Sequence, residues 1–231
     1  MNPGDPELLG DSEYQSLLNR LNARYPIETI NVTFGGNDFF FTRVLNPGDV
    51  PLDLDENGEL RWQPYWADDW ESSRALCNLL LSEPINERNV LDLGCGLGLT
   101  GAVAASRGAM VTMVDNADPA LEFSELNCWR WRERCQFRNV DWKQKESALP
   151  RFDWIVGAEI IYDSGDWADL DSFWKRHIAP DGRVLLCDPF RKTGRDFRQW
   201  IMDRNWKVEF SEREIPEMKK AINVIELHWC Q

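Results

Sequence analysis

The sequence predicts an α/β fold: a doubly wound, mostly parallel sheet that carries an N-terminal helix plus β-hairpin appendage. Two observations predict it. From residue 70 to residue 205, short apolar runs alternate with segments of helical period, as in linked βαβ units. Residues 89–115, NVLDLGCGLGLTGAVAASRGAMVTMVD, then compress a strand, a glycine turn, a helix and a second strand into one stretch, with an acid at the tip of the second strand.

That stretch has a definite physical meaning. Glycines let the chain turn sharply and let a ligand reach the backbone without meeting a Cβ, and the helix behind them offers unpaired N–H groups. An acid at the second strand end, Asp115, can accept two hydrogen bonds from a ribose diol. A nucleoside-like cofactor is therefore expected. Gly96, Gly98 and Gly101 fit GxGxxG, with Asp115 at the dinucleotide spacing. Asp92, Gly94, Gly96 and Gly98 fit DxGxGxG instead, which places a carboxylate at the end of the first strand. Burying it is costly unless something satisfies it, such as a cofactor with a cationic amino-acid tail. The dinucleotide frame leaves Asp92 without a task.

VLDLGCGLGLTG resembles the cofactor loop of class I, seven-strand methyltransferases. The resemblance implies a seven-stranded Rossmann-like sheet and S-adenosyl-L-methionine as cofactor, released as S-adenosyl-L-homocysteine. It implies cofactor contacts from Asp92, Gly94, Cys95 and Gly96, ribose binding by Asp115, and adenosine contact from Asn116.

Residues 13–24 have helical spacing, with Asp11 or Ser12 as cap and Pro26 as stop. Residues 27–34 and 39–45 are β-rich, and Gly35-Gly36-Asn37-Asp38 between them suits a hairpin. The expected division is 1–60, an N-terminal extension whose role is packing before substrate selection, and 61–231, the cofactor-binding domain. Residues 46–58 read as a loop. Trp62, Trp66 and Trp70 fall within nine residues and lead into a helix that ends near Leu81. Core packing explains them. YWADDWESSRAL is also similar to the segment before the first core strand in the protein-lysine branch of the family. That likeness makes Trp70 the better and Trp66 the weaker cofactor contact, and an aromatic face beside a sulfonium gains cation–π attraction.

Asp118-Pro119 reads as an N-cap and first turn for a helix that runs to about Arg134. Arg130, Arg132 and Arg134 read as its solvated face. Residues 135–140 form the next strand and end on Asp141-Trp142, which by resemblance accept from and cover the adenine. Residues 152–158 form a buried strand ending at Ala158, a further cofactor contact by resemblance. GAEIIY resembles the motif after the fourth strand in seven-strand lysine methyltransferases, which implies that Glu159 and Tyr162 handle the target amine. A helix over 166–177 follows, with His177 as a C-terminal cap, and then a turn over 178–183 and a strand over 184–187. Asp188-Pro189-Phe190-Arg191 looks like the branch acting on the electron-transfer flavoprotein β-subunit, with Phe190 where that branch has glycine. A helix over 194–205 and strands over 206–212 and 222–229 complete the chain.

Composition narrows the function classes. The six cysteines include no CxxC pair and there are two histidines, so no metal site is expected and the thiols read as reduced and mostly buried. A net charge of −13 argues against a nucleic-acid backbone as partner. No apolar run reaches bilayer length, and the N-terminus lacks a signal-peptide pattern, so a soluble, cytoplasmic monomer is expected. The expected activity is N-methylation of an accessible lysine on a protein substrate. A small-molecule amine is the alternative acceptor, because the branch also resembles nicotinamide N-methyltransferases; an NAD-binding oxidoreductase or an inactive nucleotide-binding scaffold stands further off.

Overall fold

The computed structural model describes residues 4–145, 147–215 and 220–230. It opens with helix α1 (Ser12–Arg24), capped by Asp11, whose side chain accepts from the N–H groups of Glu13 and Tyr14. Tyr14, Leu17, Leu18 and Leu21 are its buried stripe, the i, i+3, i+4, i+7 spacing of an amphipathic helix. Strands β1 (Ile27–Phe34) and β2 (Asn37–Val44) pair antiparallel from Ile27–Val44 to Phe34–Asn37. The segment read as a loop contains a small ladder, β3 (Asp53–Leu54) with β4 (Leu60–Trp62). Its turn is closed by Asp55, which accepts from the N–H groups of Asn57 and Glu59, both at 2.8 Å.

The remaining elements are α2 (Glu71–Leu80), β5 (Asn89–Leu93), α3 (Leu99–Ser106), β6 (Met110–Asp115), α4 (Asp118–Asn127), β7 (Cys135–Asn139), β8 (Phe152–Ala158), α5 (Trp167–His177), β9 (Ile178–Asp188), α6 (Lys192–Met202), β10 (Trp206–Ile215) and β11 (Lys220–Trp229). The sheet order is β10-β11-β9-β8-β5-β6-β7. Strands β5 to β9 run parallel, and β11 runs antiparallel to both β9 and β10. The chain steps outward from β5 to β7 and then returns to the other side of β5 with β8. That reversal opens a crevice beyond the carboxyl ends of β5 and β8.

Alternation along the strands builds two layers. Val90, Trp154, Val156 and Leu185 meet Leu76 and Leu80 of α2 and Ala102 and Ala105 of α3. Leu91, Ile155, Val184 and Leu186 face Leu170, Phe173 and Trp174 of α5 and Phe197 and Ile201 of α6. The N-terminal elements join a third cluster, in which Tyr14, Leu17, Phe41 and Val44 pack with Leu99, Val103, Phe123 and Trp129. The six cysteines are free thiols, with Cys77, Cys95, Cys128 and Cys187 buried. Among the described residues no helix is long and apolar enough to cross a membrane.

Four local expectations change. The turn read over 178–183 is instead the first part of β9, whose pairing with β8 is irregular between Phe152 and Trp154. The helix read over 118–134 stops at Asn127, and a 3-10 segment (Trp129–Arg134) follows in which Trp131 leaves helical geometry at φ −123°. Its N-cap is Ala117; Asp118 lies one position inside, its carboxylate accepting from Asn139 at 2.5 Å. His177 is not a cap: Nε2 lies 2.7 Å from Ser147 Oγ and Nδ1 lies 3.1 Å from the Pro150 carbonyl, pinning the loop before β8. Burial lowers its proton affinity and holds it neutral.

The arginines of 130–134 are not a uniformly solvated face either. Arg130 pairs in two-pronged fashion with Asp5, which is 5% exposed, and reaches Glu7 at 3.0 Å. Arg132 pairs with Glu13 at 3.3 Å. The break after Asn127 turns these side chains toward the N-terminal segment. Replacing Arg130 with Met strands a buried carboxylate and is expected to cost about 1–3 kcal/mol in urea denaturation.

Candidate active site

The glycine loop between β5 and α3 forms the floor of the crevice. Gly96 and Gly98 both have left-handed backbones, with φ of +51° and +83°. A Cβ on Gly98 would lie 2.6 Å from the Ser124 Cα of α4, and one on Gly96 would lie 3.3 Å from the Trp66 carbonyl oxygen. Only glycine meets both demands there. Asp115 fixes the loop: Oδ2 accepts from the Gly96 N–H and Oδ1 from the Ala117 N–H, both at 3.0 Å. Ser124 Oγ donates to the Gly96 carbonyl at 2.9 Å, and Asn127 Nδ2 donates to the Leu97 carbonyl at 2.8 Å.

Above the loop lies a cavity of about 520 Å³, walled by the 63–73 strap, the ends of β6, β7 and β8, and Arg191. Of the thirteen residues singled out from the sequence, twelve line it, from Trp66 and Trp70 through Asp115, Asn116, Asp141 and Trp142 to Ala158, Glu159 and Tyr162. The thirteenth, Asp92, does not. It is 2% exposed and turned toward the α3 layer, where it accepts from the Gly101 N–H near the start of that helix. A carboxylate is favourably placed there, against the positive end of the helix. Its Oδ2 has no partner among the described residues, and burial pushes its pKa up to about 7.

The two tryptophans differ. Trp66 is buried against Tyr25 and Phe123, with its backbone over Gly96. Trp70 donates from Nε1 to the Tyr65 carbonyl at 2.9 Å, and the Tyr65 ring packs edgewise on both Trp70 and Tyr162, at centroid distances of 6.3 and 5.6 Å. An aromatic rim thus borders the end of the cavity nearest Glu159.

Glu159 arrives there with its carboxylate engaged. It accepts from Arg191 at 2.5 Å, and the Arg191 guanidinium lies 5.8 Å over the Trp70 ring. Burial raises the proton affinity of Glu159, and Arg191 and Ser72 oppose that rise. Its φ of +57° is a costly conformation for a residue with a Cβ, and such strain gathers at functional sites. Asp188, at the end of β9, is 1% exposed, has no partner for either oxygen among the described residues, and is pushed up to about 7 by burial. Across the cavity Lys143 reaches Asp166 at 2.7 Å. Sequence reasoning noted the Asp188–Arg191 stretch but not the Glu159–Arg191 contact, and nothing in the spacing announced Tyr65, Asp68 or the Lys143–Asp166 pair. No cluster of metal-ligating side chains occurs among the described residues.

A family model described as the methyltransferase small domain matches residues 69–158, from the last part of the strap through the glycine loop to the end of β8. The N-methyltransferase NodS of Bradyrhizobium japonicum WM9, solved with S-adenosyl-L-homocysteine, shares the fold at a TM-score of 0.57 and 19% identity, over 73% of this chain and 92% of that one. The chain thus shares the fold of a solved methyltransferase and matches the methyltransferase small domain over residues 69–158. Among methyltransferases in sequence it is similar to protein N-lysine methyltransferase METTL21A of Xenopus tropicalis, 37% identical over 55% of this chain and 61% of that protein. It is likewise similar to the electron transfer flavoprotein beta subunit lysine methyltransferase of Xenopus laevis, 36% identical over 55% of this chain and 53% of that protein.

The buried acids set a pH dependence for this protein. Unfolded Asp ionises near 3.9, whereas folded Asp188 keeps its proton to about 7. The folded state therefore binds more protons between those values, and its stability falls as pH rises through that window, by at most about 1.4 kcal/mol per pH unit for this group. Asp188→Asn removes the effect. Urea denaturation should show the variant gaining on the wild type from pH 5 to pH 8.

Proposed function

We propose that the protein is a soluble, cytoplasmic S-adenosylmethionine-dependent N-methyltransferase that acts on a lysine side chain of a protein substrate. The observation that carries this reading is one continuous cavity, with the glycine loop and Asp115 at one end and the Tyr65, Trp70, Glu159 and Tyr162 rim at the other. The residues fit the cofactor. A Cβ at Gly96 would press on the strap, which leaves exposed backbone beneath the cavity, and Asp115 keeps lone pairs beyond the two it gives to N–H groups. Asp115 would accept from the ribose diol, Asn116 and Asp141 would meet the adenosine, and Trp142 would cover its ring. When bound, S-adenosylmethionine would supply a sulfonium methyl for transfer to a neutral amine nitrogen.

The chain's own part is alignment and exclusion of water. Tyr65, Trp70 and Tyr162 form an apolar wall for an alkyl amine. Glu159 holds Arg191, and with it the mouth of the site, in place. The similarity to named protein-lysine methyltransferases supports a lysine acceptor, although the chain covers 61% and 53% of the two cited relatives.

Two measurements test the reading. S-adenosylhomocysteine at 100 times its dissociation constant should stabilise the protein by about 2.7 kcal/mol, a rise of roughly 5–10 °C in Tm; a shift with NAD alone would overturn it. Labelled S-adenosylmethionine with cell lysate should place label in a protein band, and label confined to the small-molecule fraction would move the assignment to the small-amine alternative. Glu159→Gln removes a charge-assisted bond of about 1.5–3 kcal/mol and should slow turnover about 10- to 100-fold. Its S-adenosylhomocysteine affinity should stay near the wild-type value.

A further inference from the structure

The ion pairs and hydrogen bonds of the cavity leave one acid over. Six carboxylates line it: Asp68, Asp69, Asp115, Asp141, Glu159 and Asp166. Asp69 is held by Arg43 at 2.8 Å and Arg74 at 2.5 Å. Asp115 accepts from Gly96 and Ala117, and Asp141 from the Lys143 N–H at 2.9 Å. Glu159 is paired with Arg191, and Asp166 with Lys143. Among these six, only the Asp68 carboxylate has neither a hydrogen-bond nor an ion-pair partner among the described residues. It is half-buried at the end of the 3-10 turn Pro64–Ala67, its own N–H held by the Tyr65 carbonyl at 3.3 Å.

Burying an acid there has a physical cost. Burial and the neighbouring charge of Asp69 both raise the proton affinity of the Asp68 carboxylate, and a desolvated anion without a partner is unfavourable. A cation entering the cavity would relieve both. The same Tyr65 carbonyl that orients Asp68 also accepts from Trp70 Nε1, so the acid and the aromatic rim are parts of one strap. An anion beside aromatic faces is a setting for an alkylammonium, which gains from the charge and from the rings together. Asp92 and Glu159, the acids that the sequence offers for cationic partners, are respectively outside the cavity and already neutralised.

We propose that Asp68 is the counter-ion for a primary ammonium that lies against the Tyr65, Trp70 and Tyr162 rim. The ammonium belongs either to the amino-acid tail of the cofactor or to the acceptor amine. The assignment rests on the methyltransferase reading above and goes beyond it by naming the group that recognises charge.

Calorimetry on the full chain measures the affinity of S-adenosylhomocysteine, and of its analogue lacking the α-amino group, for the wild type and D68N. A titration by NMR measures n-butylammonium, the lysine side chain without its backbone, on each protein saturated with S-adenosylhomocysteine. D68S serves as a second variant, and unchanged melting temperatures show that both fold. If Asp68 holds the cofactor tail, D68N weakens S-adenosylhomocysteine at least tenfold and leaves the deaminated analogue unaffected. If it holds the acceptor, D68N keeps S-adenosylhomocysteine within twofold and weakens n-butylammonium at least tenfold. Affinity for S-adenosylhomocysteine within twofold, together with no Asp68-dependent binding of n-butylammonium, would overturn the assignment alone. Failure of the wild type to bind S-adenosylhomocysteine would remove the methyltransferase reading and this assignment with it.

Discussion

One carboxylate organises the functional end of the molecule. Asp115 gives one oxygen to the Gly96 N–H and the other to the Ala117 N–H, so the turn after β5 and the turn after β6 are fixed to each other at the sheet edge. Backbone bonds from Gly94 and Cys95 to the Val114 carbonyl, at 2.8 and 3.0 Å, continue the same seam. The open backbone of the loop is therefore held by the protein's own bonds, and α3 and α4 start from positions that its geometry sets. Burial disfavours the charge on Asp115, while its backbone bonds favour it. Burial prevails and the carboxyl is pushed up, while lone pairs beyond the two engaged ones stay open to further donors.

Stability is given up at several points around this seam. Glu159 sits in a left-handed backbone conformation, Asp188 is buried with no partner among the described residues, and Asp92 leaves one oxygen unsatisfied. Each arrangement raises the free energy of the fold, and each lies at the carboxyl end of β5, β8 or β9, where the cavity opens. Proteins hold such costs where a site must be shaped in advance. The surrounding layers offset them with apolar packing on both faces of the sheet.

How much the sequence disclosed follows from what is local in it. The glycine turn, the acid at the tip of β6 and the strand alternation are set by neighbours within a few residues, and all are found where the spacing put them. The station of Asp92 depends on the direction in which β5 presents its side chains to α3, which the motif alone does not encode. The Glu159–Arg191 and Lys143–Asp166 pairs join residues 32 and 23 positions apart through the meeting of different loops. Arg130 looked solvated because helical periodicity extended past Asn127, whereas the break there turns it onto Asp5, 125 positions earlier in the chain. Charge partners across such separations are decided by tertiary folding.

Asn127 gives the N-terminal region an unexpected standing. Its amide exchanges bonds with the backbone of Thr42 in β2, at 2.8 and 2.9 Å, and also binds the Leu97 carbonyl of the glycine loop. Phe41, the neighbour of Thr42, reaches the cavity wall itself. The hairpin is thus a brace for the glycine loop, and a substitution in it would shift the cavity floor from behind while every motif residue stayed the same.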